Sequence, residues 1–168
     1  MTDPSNRQEE ITIVDYKRKY ARYFRDINRA WIEEYFELEQ YDLIMINDPE
    51  SQIIAHGGCV LFAVLDGDVV GTCALLRHAE RKYELAKMGV LKQYHNRGVG
   101  KKLAKAAIQK ARALGADILV LATSRKLKAA NHLYRSLGFC EVDLAEVGPL
   151  PYRRESIAMR LSLNASDK

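Results

Sequence analysis

Glu84 to Gly100 reads ELAKMGVLKQYHNRGVG, and Leu133 to Phe139 reads LYRSLGF. The first stretch changes character twice. Glu84 to Leu91 is mostly apolar and reads as a β-strand. Asn96-Arg97-Gly98-Val99-Gly100 is a short glycine loop, and from Val99 to Leu114 the pattern is helical, with Val99, Leu103, Ala107, Ala111 and Leu114 on one face. Gly115 is placed to end that helix. A strand that runs through glycines into a helix N-terminus is suited to a phosphate. First-turn amides have no partner within the helix, the helix dipole favours an anion there, and glycine lets a ligand approach the backbone. Arg97 and Lys101 add positive charge.

Downstream, Ile118 to Ala122 is a continuous apolar run that predicts a buried strand. Lys128 to Leu137 predicts a second helix closed by Gly138, and Phe139–Val142 and Ser156–Leu163 predict closing strands. Upstream, Val60–Leu65 and Val69–Leu76 flank Asp66-Gly67-Asp68, the pattern of a β-hairpin, and a charged loop is expected from His78 to Lys82. Tyr16 to Ile54 has helical periodicity carried by Ile27, Trp31, Ile32, Tyr35, Phe36 and Leu38, and Asn47-Asp48-Pro49 starts a further short helix. Ile11–Val14 is a first strand. The order predicts a mixed α/β (α+β) fold with a βαβ unit near its centre. It forms one domain over residues 11–163, with loose tails at 1–10 and 164–168.

With 168 residues, 48% hydrophobic and 29% charged, the chain has the composition of a soluble globular domain, which excludes a disordered, collagen-like or disulfide-framework protein. The net charge of +4 conceals a division. Arg81 to Ser136 carries fourteen basic residues against Glu84 and Asp117, a net +12, and the rest of the chain carries −8. Such asymmetry points to an anionic partner for the basic part. Cys59, Cys73 and Cys140 lie in apolar runs and read as small buried hydrophobes, and the four histidines lack ligand spacing, so no metal is expected. No early apolar run reads as a signal peptide and no apolar stretch reaches 18 residues, so the expected compartment is the cytoplasm with no membrane partner. The basic helix from Lys101 to Arg112 lacks interleaved aromatics, and no nucleic-acid partner is expected.

Two phosphate-binding patterns fail here. A P-loop would need glycine at His95 and Ser or Thr at Lys102. A dinucleotide fingerprint would need glycine at Leu103 and an acid near the end of the next strand, which closes as Ala122-Thr123-Ser124.

The two quoted segments, about 35 residues apart with one strand between them, resemble the acetyl-CoA motifs of the GNAT superfamily of N-acetyltransferases. In order of elements the resemblance runs from about Ile11 to Leu163 and is most specific over Tyr83 to Val142. It implies a GNAT-like acyl-CoA N-acyltransferase fold, a central mixed twisted sheet flanked by helices, and direct transfer from acetyl-CoA to an amine. It also implies roles for particular residues. Backbone groups of Met88, Gly89 and Val90 pair with the pantetheine arm, and the amides of Asn96, Arg97, Gly98, Val99, Gly100 and Lys101 hold the pyrophosphate. Tyr134 protonates the departing thiolate. Glu84, fourteen residues before Gly98, takes the place of the glutamate base, acting directly or through water.

Two positions depart from the family pattern. His95 stands where Gln or Arg is preferred. Leu127 stands where the family has an Asn that bonds the pantetheine, so Asn131 or Ser124 is expected to substitute. Lys101, Lys105 and Arg125 are the charges expected to meet the ribose phosphate. The acceptor is a primary amine, on a small molecule or on a lysine or peptide, and the protein is a monomer or homodimer. Asp26 to Glu50 holds eight acids and one base. As a wall of the acceptor cleft it would favour a cationic amine, although a solvated outer face is the preferred reading. A CoA-binding sensor with little turnover is the alternative.

Overall fold

In the computed structural model, residues 10–164 are described, and the tails expected at 1–10 and 164–168 fall almost wholly outside them. Seven strands form one twisted sheet. They are β1 (Ile11–Asp15), β2 (Cys59–Leu65), β3 (Asp68–Ala79), β4 (Lys82–Val90), β5 (Ile118–Thr123), β6 (Cys140–Val142) and β7 (Ile157–Ser162), in spatial order β1-β2-β3-β4-β5-β7-β6. Every neighbouring pair is antiparallel except β4 and β5. That parallel pair needs a crossover, which the helix α4 (Val99–Ala113) supplies. The expected mixed α/β architecture is present.

The period-2 alternation of β2 divides the core. Val60 and Phe62 point to one face of the sheet, where they pack with Phe24 and Ile27 of α1 (Ala21–Tyr35) and Met45 and Ile46 of α2 (Gln40–Asn47). Leu61, Ala63 and Leu65 point to the other face. There Leu103, Ala107 and Ala111 of α4, together with Tyr134 of α5 (Lys128–Ser136), complete the larger core. The short α3 (Pro49–Gln52) starts with proline at its first position, capped by the Asp48 carboxylate, which accepts from the Ser51 amide at 3.1 Å.

Three local expectations are corrected. The loop expected from His78 to Lys82 is mostly strand. Arg77 pairs with Tyr83 and Ala79 with Lys82, so β3 and β4 form a long hairpin that turns at Glu80-Arg81. Its far end is exposed, which is why its polar residues resembled a loop in sequence. Leu114, expected on the buried face of α4, is exposed at the helix C-cap. Cys73 is buried and Cys59 half-buried, but Cys140 is exposed, because β6 is the edge of the sheet and has only three residues. Among the described residues no helix is long and apolar enough to cross a membrane.

Candidate active site

The centre of the sheet opens between β4 and β5. These strands pair only at Lys82↔Ile118, Tyr83↔Leu119 and Glu84↔Val120, after which β5 continues along β7 and β4 along β3. A bulge in β4 lies just beyond the last shared rung. Thr72 pairs with Gly89 and Ala74 with Ala86, so Lys87 and Met88 together oppose Cys73, and Lys87 has a left-handed φ of 51°. A bulge bends its strand and increases its twist. From Leu85 onward the β5-facing edge of β4 is therefore an open row of backbone groups that need partners.

A cavity of about 390 Å³ occupies this opening. Met88, Gly89 and Val90 form one wall, and Leu127, Leu133 and Tyr134 form the other. At its far end lie Asn96, Gly98, Val99, Gly100 and Lys101. Asn96 and Gly98 both have positive φ, 62° and 79°, and the resulting turn leads directly into α4. Gly98 is the N-cap and no side chain caps the helix, so its first amides remain available for an anion. A cavity with an amide cradle at one end and an open strand edge along its side fits a long thioester cofactor with a phosphate terminus.

Eight of the ten residues expected at the cofactor line this cavity; Arg97 and Asn131 do not. The Arg97 guanidinium lies over the Tyr94 ring, 5.3 Å from its centroid. Asn131 Nδ2 donates to Ser124 O at 2.9 Å and its Oδ1 accepts from Thr123 Oγ1 at 2.8 Å, so the amide holds the turn from β5 into α5. His95 Nε2 donates to Val90 O at 2.9 Å, which fixes the loop against the end of β4. Of the charges expected at the ribose phosphate, Lys101 lines the cavity and Arg125 is paired with Glu141 at 2.7 Å.

Tyr134 is buried, with its ring edge-on to Phe139 at 5.8 Å between centroids. Burial pushes its phenol well above the usual range, so the hydroxyl keeps its proton at neutral pH. Glu84 lines a second cavity of about 150 Å³ that shares Trp31, Leu85, Ala86, Lys87 and Leu127 with the first. The two cavities thus meet where β4 and β5 part. Glu84 pairs neither with Lys82 nor with Lys87; its Oε1 is 3.3 Å from His78 Nε2. Trp31 stands at the junction. Its indole donates to Asn28 Oδ1 at 2.8 Å, and it packs where a Cβ on Gly89 would come within 2.4 Å of the ring.

The second cavity contains a cluster that sequence reasoning missed. Lys87 Nζ donates to Asp42 Oδ1 and to the Tyr152 hydroxyl, each at 2.7 Å. Arg154 Nη2 donates to both oxygens of Asp42, at 2.6 and 2.5 Å. Asp42 is fully buried. Burial alone would raise its pKa, but Lys87, the Glu39 amide and Arg154 together outweigh that and hold the carboxyl below its usual range. The available signal was a lysine in the middle of the apolar run ELAKMGV.

A sheet that parts beside a helix opened by glycines is the arrangement of an acyl-CoA-binding transferase fold. Residues 20–139 match the profile of the acetyltransferase (GNAT) family, and the chain belongs to that family. Human N-acetylaspartate synthetase is 32% identical over 140 residues, covering 83% of this chain and 45% of that protein. The chain thus spans under half the length of that relative. An N-acetyltransferase of Bacillus subtilis, YvbK, is 31% identical over 106 residues, covering 60% of this chain and 67% of that one. Among solved structures, a Staphylococcus aureus GNAT acetyltransferase superposes with a TM-score of 0.83 at 23% identity, covering 92% of this chain and all of that one. The Salmonella typhimurium protein yncA, solved with acetyl-CoA, superposes at 0.72 with 22% identity, covering 92% and 95%.

Proposed function

We propose that the protein transfers the acetyl group of acetyl-CoA to a primary amine by direct attack, with Glu84 as general base and Tyr134 as general acid. The observation that carries this reading is the opening between β4 and β5. It supports the reading because the glycine-loop amides line one of two adjoining cavities and the Glu84 carboxylate lines the other. The acetyl-CoA bound to yncA and the names of the curated relatives support the same co-substrate.

Each residue has a defined task. The amides of Asn96 to Lys101 bind the pyrophosphate, and the open edge of Met88 to Val90 pairs with the pantetheine amides as an added strand would. An amine with a pKa of about 10.4 is protonated at pH 7. Glu84 accepts that proton, directly or through water, and frees the lone pair to attack the thioester carbon. A β4 amide faces the thioester oxygen and stabilises the negative charge that develops there, by about 3 kcal/mol. As the C–S bond breaks, Tyr134 donates its proton to the sulfur, the attacking nitrogen loses its second proton, and that proton restores the phenol by way of solvent. The products are the N-acetylated amine and CoA.

A second reading, a CoA sensor with little turnover, rests on Leu127 lining the cavity where the family has Asn. One experiment separates the two: CoA release measured across a panel of small amines and peptides, with the product identified by mass. An acetylated amine supports the transferase, and tight acetyl-CoA binding without any product supports the sensor.

A further inference from the structure

The second cavity is walled by cations whose hydrogen-bonding capacity is not fully used. A guanidinium has five N–H donors and an ammonium three. Both Arg154 and Lys87 converge on Asp42, the one fully buried carboxylate of the cluster. Arg154 Nη1 is buried and has no hydrogen-bond partner among the described residues. Glu39 approaches Arg154 Nε only to 3.6 Å, beyond hydrogen-bond range, and its Oε1 is taken by the Arg153 amide at 2.8 Å. The guanidinium cannot easily turn away. It lies 4.1 Å from the Tyr152 ring centroid and 5.2 Å from that of Phe36. Glu84 lines the same cavity.

We infer that this cavity takes an amine that also bears a carboxylate, an amino acid, with the carboxylate on Arg154 and Lys87 and the amine toward Glu84. This rests on the acetyltransferase reading and adds the acceptor class to it. An anionic oxygen satisfies the orphaned Nη1 donor, and a hydrogen bond from a guanidinium to a carboxylate is stronger than one to a neutral acceptor. A purely cationic amine, such as a polyamine, would bring a further positive charge against Lys87 and Arg154. The carboxylate is the α-group or a side-chain group, and both have the chemistry this wall recognises.

The test compares aspartate, asparagine, aspartate 1-amide and the diamide as acceptors, with putrescine as the cationic control. For wild type, kcat/KM with the preferred acid is expected to exceed that with its matching amide by about tenfold or more, because a site built for an acceptor group leaves its donors unpaired without it. Whichever single amide loses activity identifies the carboxylate that is read. Arg154→Gln is expected to erase the acid-over-amide ratio, and Arg154→Lys to restore part of it. Binding of the same four compounds to the wild-type CoA complex, measured by calorimetry, gives a readout independent of turnover and of how the variants fold. Acid-selective binding without product keeps this inference and removes the transferase reading. Turnover in which the diamide or putrescine matches aspartate removes this inference and keeps the transferase. Absence of acid-selective binding and of acid-selective turnover overturns it outright.

Discussion

Tyr134 packs through its ring against Phe139, so removing the hydroxyl alone leaves that contact in place. Tyr134→Phe is expected to lower kcat by about a hundredfold or more, the usual contribution of a positioned acid, while KM for acetyl-CoA and the melting temperature change little. Steady-state kinetics with a good acceptor check this, and unchanged turnover would assign the proton to another donor. Glu84→Gln keeps the shape but cannot accept a proton, so the rise of rate with pH is expected to flatten; identical wild-type and variant pH profiles would place the base elsewhere. Asp42 affects stability. Its folded carboxyl lies below the ordinary value of 3.8, so its contribution is fully present above that value and is lost as the pH falls through the lower folded one. Asp42→Asn leaves the buried Lys87 without a carboxylate partner and Arg154 with only its looser pair to Glu39, and is expected to cost about 3–5 kcal/mol at neutral pH. Thermal melts at pH 7 and in acid would show a large loss at pH 7 and a smaller loss, relative to wild type, in acid. The positions of Glu84 and Tyr134 at the two cavities were legible because each lies inside a contiguous motif. Asp42, Lys87 and Arg154 were not, because their contacts span 45 and 112 positions and no local pattern records them.

At the scale of elements, the strands and helices of residues 84–142 followed from periodicity and glycine placement. The parting of β4 from β5 did not, because it depends on register. The bulge assigns two residues to one partner, and its left-handed position is a lysine rather than the glycine that would signal it. The β3–β4 hairpin was misjudged for a related reason, since an exposed strand end has loop-like composition. Gly89 tests how tightly α1 is held against β4. An added Cβ would meet Trp31 Cδ1 at 2.4 Å and Nε1 at 2.9 Å, and the indole is itself fixed by its bond to Asn28. Gly89→Ala is therefore expected to cost about 1–3 kcal/mol through overpacking. By moving a residue common to both cavities it should also raise KM for acetyl-CoA and for the amine together. A variant whose melting temperature and both KM values match wild type would mean that Trp31 moves freely and does not set the junction.

Across the whole molecule, the two charge halves have different fates. Most carboxylates of Asp26 to Glu50 are paired: Asp26 with Arg25, Glu33 with Arg29, Glu34 with Lys92, Glu39 and Asp42 with Arg154, and Glu50 with Arg18. The acidic wall weighed as the lesser reading of this segment is thus largely neutralised, and the residues facing the second cavity include cations drawn from β4 and the segment before β7. The basic half presents Lys101 at the amide cradle, while Lys102 and Lys105 are exposed on the same helix. An anion bound there ties the loop, α4, β4 and α5 together, so its binding should stabilise the entire domain. At a hundredfold excess over Kd, acetyl-CoA is expected to contribute about 2.7 kcal/mol. For a domain of this size that is a rise in melting temperature of roughly 5–10 °C. Much of the attraction comes from exposed lysines, so Kd should weaken as ionic strength rises and the Debye length falls from about 10 Å at 0.1 M to about 3 Å at 1 M. Lys101→Ala should weaken binding at low salt and reduce that dependence. Thermal shift and calorimetry at three salt concentrations measure all of this. A Kd insensitive to both salt and Lys101 would mean that the cradle amides alone hold the phosphates and that the +12 segment has another purpose.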